Sequence, residues 1–219
     1  PVTISIVLGG AVIYLLVGVS MGMISAIRRG TVMGPAASGF SLTFASMQIF
    51  FLGLLLQYIL VYDFGLLPRA QYYPITENPL KWAGGMLLPW ITLGLINSAS
   101  YARLSRAQML ETLSEDFVRT AWAKGVSRRM VHLKHAFRAA VTPIVTIAGL
   151  DLGLQIGGLL ITETTFSMLG LARQSVLAVT NLNLPIIMAT VLIAAVAVVV
   201  ANLVVDMLYA VIDPRVRLS

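Results

Sequence analysis

Long apolar runs alternate with short polar segments along this chain. Five runs are long enough to cross a membrane as helices, which takes about 20 mainly apolar residues. They cover residues 2–27, 33–62, 84–110, 141–162 and 185–212. Prolines in four of them are predicted to lie in the first turn, where a missing N–H is tolerated: Pro35, Pro89, Pro143 and Pro185. The pattern predicts an all-α integral membrane protein with a single transmembrane domain over residues 1–219.

One polar segment, residues 111–140, is far longer than a connection between two spans requires. It predicts a helix, a glycine turn and a second helix, in which Ser114 caps the first helix, Gly125 ends it and Ser127 caps the second. The apolar face predicted for the first helix consists of Phe117, Val118, Ala121 and Trp122. Two interpretations remain open at this point: a hairpin lying on anionic lipid, or a docking element for a partner protein.

Composition and charge indicate on which side of a membrane this polar segment lies. Hydrophobic residues make up 58% of the chain and charged residues only 11%, against about a quarter in soluble domains. With the N-terminus outside, all of the 15 Lys and Arg residues fall in cytoplasmic segments except Arg69, Lys81 and Arg173. The positive-inside rule therefore predicts an N-out, C-in topology with a cytoplasmic polar segment. The net charge of +6 is explained by topology in a lipid bilayer, so no nucleic-acid partner is expected.

Several kinds of chemistry are excluded by the sequence. It contains no cysteine, which rules out disulfides and thiolate metal sites. It also lacks the G-x-x-x-x-G-K-[ST] loop that cradles nucleotide phosphates. His132 and His135 have no third metal ligand nearby and no serine partner inside the membrane. We therefore expect neither an enzyme nor a metal site.

The polar segment resembles a known motif. The sequence RTAWAKGVSRRMVHLKHAFRAAVTP, Arg119–Pro143, is similar to the cytoplasmic EAA loop of binding-protein-dependent ABC importer permeases, most closely the dipeptide/oligopeptide/nickel branch. The glutamate that gives this loop its name falls at Arg119, a departure from the family pattern. Three further blocks also resemble that branch: YARLSRAQML at Tyr101–Leu110, ITETTFSMLGL at Ile161–Leu171 and NLVVDMLYAVIDPRVRL at Asn202–Leu218.

The resemblance implies a type I ABC importer permease-like core in a bacterial cytoplasmic (inner) membrane, with a further span before Val2. It implies a path for di- or oligopeptides delivered by an extracytoplasmic binding protein. The implied partners are a second homologous permease and two ATPase subunits that bind ATP and Mg, with no cofactor in this chain. The resemblance implies that the following residues dock to the ATPase: Arg119, Thr120, Ala121, Lys124, Gly125, Ser127, Arg128 and Arg129.

Polar residues inside the predicted spans are candidates for a translocation path. Asp151 lies near the middle of the fourth span, where a carboxylate is costly unless it faces a cavity, the bundle interior or a partner. It could line the path or pair structurally with another helix. Gln155 and Asn97 are further candidates, which could equally bond between helices. Glu163 and Phe166, in the block at Ile161–Leu171, are candidates for an outer gate, and Glu163 could also be a solvated loop acid.

Two other kinds of transporter remain as alternatives. A proton-coupled secondary transporter could use Asp151 as its proton carrier, although such a carrier would not require the cytoplasmic docking segment. An importer of the same family could instead carry nickel or another small solute. A membrane scaffold without transport activity is a third possibility.

Overall fold

The computed structural model describes residues 1–28 and 32–212, and the chain is all-helical over these ranges, with no β-strand. The first helix, α1, is Val2–Ile27, with a π-helical stretch at Leu15–Val19. The next four helices are α2 Met33–Ser46, α3 Ile49–Asp63, α4 Pro79–Ser114 and α5 Asp116–Ala123. The later helices are α6, α7 Leu160–Thr165, α8 Leu171–Thr180 and α9 Leu184–Ile212.

The helix α6 begins at Arg128 and continues to Gly158 without interruption, through a π-helical stretch at Val131–Ala136. It therefore contains both the second helix predicted for the polar segment and most of the fourth predicted span. The last residues of the C-terminal sequence block, 213–218, lie outside the described residues.

The central helix of the bundle is α4, which packs against α1, α2, α3 and α6. One close approach of α4 to α1 depends on Gly18, where a Cβ atom would lie 2.8 Å from the Ser98 carbonyl oxygen and 2.7 Å from Tyr101 Cβ. Small residues allow the backbones of membrane helices to approach in this way. The aromatic side chains of Trp82 and Trp90 reach Ser5 of α1 near the start of α4, through hydrogen bonds of 3.3 and 2.7 Å.

Two clusters of buried apolar side chains form the core, one toward each end of α4. The first surrounds Met109 and includes side chains from the polar segment, among them Val118, Val131 and Ala136. The second surrounds Met86 and includes Ile6, Val7, Phe166 and Met168. The polar segment is therefore anchored to the helical bundle by its own apolar residues.

Among the described residues, three helical segments are long and apolar enough to cross a membrane: Val2–Ile27, Arg128–Ile156 and Leu184–Val204. A fourth span would result from α2 and α3 if this pair, which is bent by 100°, is counted as one. The second predicted span is therefore not a straight helix, because Met47 and Gln48 adopt extended backbone conformations. Neither proline nor glycine stands at this break, so no residue type in the sequence signals it. The count of five spans and the orientation remain predictions.

Two predicted helix starts were wrong. Pro35 and Pro185 lie in first turns, but Pro89 and Pro143 lie inside α4 and α6, because both helices begin well before the apolar run that was used to locate them. The start of α4 is capped by Asn78, whose side-chain oxygen accepts a 3.0 Å hydrogen bond from the Lys81 N–H.

The predicted cap at Ser114 is also wrong. This residue is the last of α4, and its hydroxyl donates to the Glu111 carbonyl oxygen at 2.6 Å. The N-cap position of α5 is occupied by Glu115 instead.

Candidate functional site

The short helix α5 packs one side against the bundle and leaves the other side open. Val118 is fully buried and Ala121 nearly so, both in the first core cluster. Phe117 and Trp122, predicted on the same apolar face, remain 45% and 38% exposed. Successive helical positions are about 100° apart, so Val118 and Ala121 lie at the centre of this face and Phe117 and Trp122 at its two edges. Two large aromatic side chains are therefore available to a partner.

Gly125 forms the turn after α5, as predicted. Its φ of +73° is in the left-handed region that favours glycine. The N–H groups of Lys124 and Gly125 donate to the Thr120 and Trp122 carbonyl oxygens, each at 3.0 Å, and the Val126 N–H donates to the Ala121 carbonyl oxygen at 3.2 Å. These bonds close the helix end and aim the chain toward α6.

The exposed residues of this region form a basic and aromatic surface, hereafter the basic–aromatic surface. Seven of the eight residues predicted to dock to the ATPase are exposed on it: Arg119, Thr120, Lys124, Gly125, Ser127, Arg128 and Arg129. The eighth, Ala121, faces inward. Exposed apolar side chains of α5 and α6 lie among them: Phe117, Trp122, Met130, Leu133 and Phe137. Aromatic and arginine side chains of this kind dominate the binding energy of protein interfaces.

Two contacts within the basic–aromatic surface differ in what they contribute to the stability of the fold. The Trp122 and His132 rings meet edge to face, with centroids 5.8 Å apart, and connect α5 to α6. Arg119 and Asp116 form an ion pair at 3.6 Å, with both side chains largely exposed. Such a surface pair contributes little to stability, so Arg119 remains available to another protein.

A polar cluster lies inside the bundle between α1, α4 and α6. The Tyr101 hydroxyl donates to Asp151 Oδ2 at 2.7 Å, and the Tyr101 ring stacks on Tyr14 with centroids 4.7 Å apart. Gln155 lies one helical turn from Asp151, and the Tyr14 hydroxyl interacts electrostatically with both side chains. Neither that hydroxyl nor Gln155 Oε1 has a hydrogen bond of good geometry among the described residues, although both atoms are buried.

Two of the three predicted path residues, Asp151 and Gln155, thus come together in this cluster. The third, Asn97, lies on α4 one turn before Tyr101, and its side-chain nitrogen donates to the Leu93 carbonyl oxygen of its own helix at 2.9 Å. The sequence prediction missed Tyr14 and Tyr101. A tyrosine within an apolar run is a weak signal of such a role, because its ring resembles the apolar neighbours.

An apolar groove lies on another face of α6, toward α1 and α9. It has a volume of about 340 Å³, and its lining includes Val7, Leu152 and Val204 but neither Asp151 nor Gln155. The polar cluster therefore faces the bundle interior rather than this groove.

Glu163 is fully buried, so its interpretation as a solvated loop acid was wrong. Its carboxylate accepts a 2.6 Å hydrogen bond from the Thr3 hydroxyl and a 2.8 Å bond from the Arg173 N–H. Phe166 is buried nearby in the second core cluster, where its ring lies close to Gly53 of α3. Both candidate gate residues thus hold neighbouring helices together.

Within the described residues, no group of three or more His, Cys, Asp or Glu side chains is arranged to hold a metal ion. The geometry offers instead a docking surface, an interior polar cluster and a buried carboxylate that connects helices.

The long apolar helices of this bundle define an integral membrane protein. The chain belongs to the family of binding-protein-dependent transport system inner membrane components, whose model matches residues 18–218. The predicted family is therefore confirmed, as are its placement as a multi-pass membrane protein and its role as a transport subunit rather than an enzyme.

Named relatives cover nearly the whole chain. A Brucella abortus (strain 2308) protein, described provisionally as a peptide transport system permease protein, is 36% identical over 99% of this chain and 69% of its own length. The dipeptide transport system permease protein DppB of Escherichia coli (strain K12) is 36% identical over 92% of this chain and 66% of its own length.

The fold also has a solved counterpart. A chain from inward-facing structures of the MetNI methionine ABC transporter matches with a TM-score of 0.72 and 14% sequence identity, over 97% of this chain and 93% of that chain. At this identity the match concerns the fold alone. It agrees with the predicted all-α, importer-permease type of fold.

Proposed function

We propose that this chain is the transmembrane permease subunit of an ATP-driven importer for di- and oligopeptides. The observation that carries this proposal is the 36% identity to the dipeptide permease DppB over 92% of the chain. The peptides would be delivered by an extracytoplasmic binding protein. A second homologous permease and two ATPase subunits would complete the transporter, and the ATPase subunits would bind ATP and Mg.

The proposed topology has five spans, with the N-terminus outside and the C-terminus in the cytoplasm. The distribution of Lys and Arg supports it. In this topology α5 and the start of α6 face the cytoplasm. The third span would lie within α4, and the bent pair α2 and α3 would together supply the second.

The basic–aromatic surface is the proposed docking site for an ATPase subunit. Gly125 would set the turn, the exposed aromatic residues would anchor in a groove, and Arg119, Arg128 and Arg129 would meet acidic groups. Thr120, Lys124 and Ser127 would complete the contact, with Ala121 fixing α5 to the bundle. The continuity of α6 supports this role, since about 35 Å of unbroken helix connects Arg128 to Asp151.

The proposed translocation path passes the polar cluster. Asp151 and Gln155 would line it, with Asn97 one turn from Tyr101 on the neighbouring helix. The buried Gln155 Oε1, which has no hydrogen bond of good geometry among the described residues, supports this proposal, because such atoms are costly unless another state or ligand satisfies them. Glu163 and Phe166 would form part of the outer gate.

The test is uptake by the complete transporter, reconstituted in vesicles with its binding protein and ATPase subunits. Labelled dipeptide should accumulate only when ATP is present on the side of the membrane where the ATPase subunits lie. Excess unlabelled dipeptide should compete with the labelled dipeptide, whereas nickel should not. Uptake of nickel without peptide uptake would establish the nickel alternative. Uptake that collapses with a protonophore and ignores ATP would establish the proton-coupled alternative.

A further inference from the structure

The Thr3 hydroxyl links three helices through one hydrogen-bond relay. It donates to Glu163 Oε1 at 2.6 Å and accepts a 2.8 Å hydrogen bond from the Leu171 N–H. The second carboxylate oxygen accepts from the Arg173 N–H at 2.8 Å. Thr3 belongs to α1, Glu163 to α7, and Leu171 and Arg173 to the first turn of α8. Positions more than 150 residues apart in sequence are thereby connected.

The carboxylate suits this position electrostatically. The first N–H groups of a helix have no partner within the helix, and its N-terminus favours negative charge. Leu171 and Arg173 supply two such N–H groups, and the Glu163 relay satisfies both. Among the described residues no cationic side chain forms an ion pair with the buried Glu163 side chain, so the hydrogen bonds from the Thr3 hydroxyl and the Arg173 N–H satisfy its oxygens.

The backbone that follows α7 lies close to the Glu163 carboxylate. A Cβ atom at Gly170 would overlap the Glu163 carboxylate. The Met168 N–H donates to the Glu163 carbonyl oxygen at 2.8 Å, and Ser167 takes a left-handed conformation with φ 54°. The segment from Phe166 to Arg173 is thus wrapped tightly around the Glu163 side chain.

We propose that Glu163 is a positioning residue that latches the segment 166–173 onto the first turns of α1. Separation of α7 and α8 as a unit from α1 requires the Thr3–Leu171 bond and the Thr3–Glu163 bond to break together. The relay therefore sets how readily this end of the bundle opens. Its meaning for transport rests on the proposed outer gate, whereas the latch itself can be measured without any cargo.

Amide hydrogen exchange in the complete assembled transporter tests the latch, with the full-length chain reconstituted in nanodiscs. Thr3→Val keeps the side-chain shape but removes the hydroxyl, so exchange in the peptide covering residues 167–175 should become at least about tenfold faster. Thr3→Ser keeps the hydroxyl and should exchange at nearly the wild-type rate. Thr165→Val is the matched control, because the Thr165 hydroxyl bonds only to Ile161 of its own helix, at 2.7 Å.

Exchange in Thr3→Val as slow as in the wild type would overturn the latch, and fast exchange in Thr3→Ser would then show that Thr3 acts by packing. If Thr3→Val does not assemble, Glu163→Gln provides the decisive comparison with Thr3→Ser. Exchange in Glu163→Gln as slow as in the wild type would overturn the proposal. The exchange measurement is made without any transported peptide. A failure of peptide uptake and a failure of the latch are therefore separate results.

Discussion

The Tyr101 hydroxyl donates a 2.7 Å hydrogen bond to Asp151 Oδ2 and so joins α4 to α6 in the interior of the bundle. A carboxylate within an apolar helix requires such a partner. Asp151 therefore has a structural partner in this chain, and its proposed place on the translocation path must be compatible with that bond.

We expect Tyr101→Phe to destabilise the protein by about 1–3 kcal/mol, because the Asp151 carboxylate loses a donor while it stays partly buried. Thermal unfolding of the purified transporter measures this as a lower melting temperature. Tyr73→Phe is the control, since the hydrogen bond of the Tyr73 hydroxyl among the described residues is to the exposed Gln71 side chain, at 3.1 Å. That variant should unfold at the wild-type temperature.

The double variant Tyr101→Phe/Asp151→Leu sharpens this prediction. Removing both partners of a buried polar pair costs less than removing one and leaving the other unsatisfied. The double variant should thus be more stable than the sum of the single losses allows. Strictly additive losses would show that the two side chains are not coupled.

Gly125→Pro should abolish transport and leave membrane insertion intact. Proline fixes φ near −65°, far from the +73° of this turn, and removes the N–H that bonds to Trp122. Gly125→Ala should have a milder effect, from left-handed strain of about 1–2 kcal/mol. Gly39→Ala is the control, because a Cβ there meets only open space. Normal uptake by Gly125→Pro would refute docking through this turn.

Substitutions at two adjacent residues of α5 should affect different properties, one the affinity for the ATPase and the other the stability of the fold. Phe117→Ala removes an exposed aromatic side chain and should weaken ATPase binding by at least about 1 kcal/mol, or roughly fivefold, without changing thermal stability. Val118→Ala removes a fully buried side chain and should lower stability by about 1–3 kcal/mol. Titration of ATPase subunits onto the permease and thermal unfolding separate the two. An unchanged affinity for Phe117→Ala would remove it from the docking surface.

Asp151→Asn should leave uptake dependent on ATP and insensitive to a protonophore. Asparagine retains an oxygen that can accept the Tyr101 hydrogen bond, so the helices remain joined while the titratable group is lost. If transport stops in this variant and a protonophore has the same effect on the wild type, Asp151 carries protons and the ATP-driven proposal is wrong.

Features set by long runs of residues could be predicted from the sequence. Apolar runs located the main helices, and the sequence around Gly125 gave the helix end and the turn. The glycine was informative because a left-handed helix end favours that residue type. The family resemblance of residues 119–143 and three other blocks agreed with the family match.

Features that depend on the packing of distant residues could not be predicted. The sequence left Glu163 open between an outer gate and a solvated loop acid, because its donors, Thr3 and the Arg173 N–H, are identified only once the helices are in place. The same holds for Tyr14 and Tyr101, whose hydroxyls converge on Asp151 from separate helices. The division of α5 into buried Val118 and exposed Phe117 likewise depends on where α5 meets the bundle.

The corner between α2 and α3 has a consequence for where lipid can touch this protein. At Met47 and Gln48 the backbone leaves the helical conformation, with ψ of 136° and 143°. Peptide groups without helical partners are not tolerated against acyl chains, and at membrane depth they occur only beside protein or water. Each of the two helices, α2 and α3, is also too short to cross a bilayer alone, since the 14 residues of α2 reach only about 21 Å. Acyl chains must therefore be kept away from this corner by protein or by water.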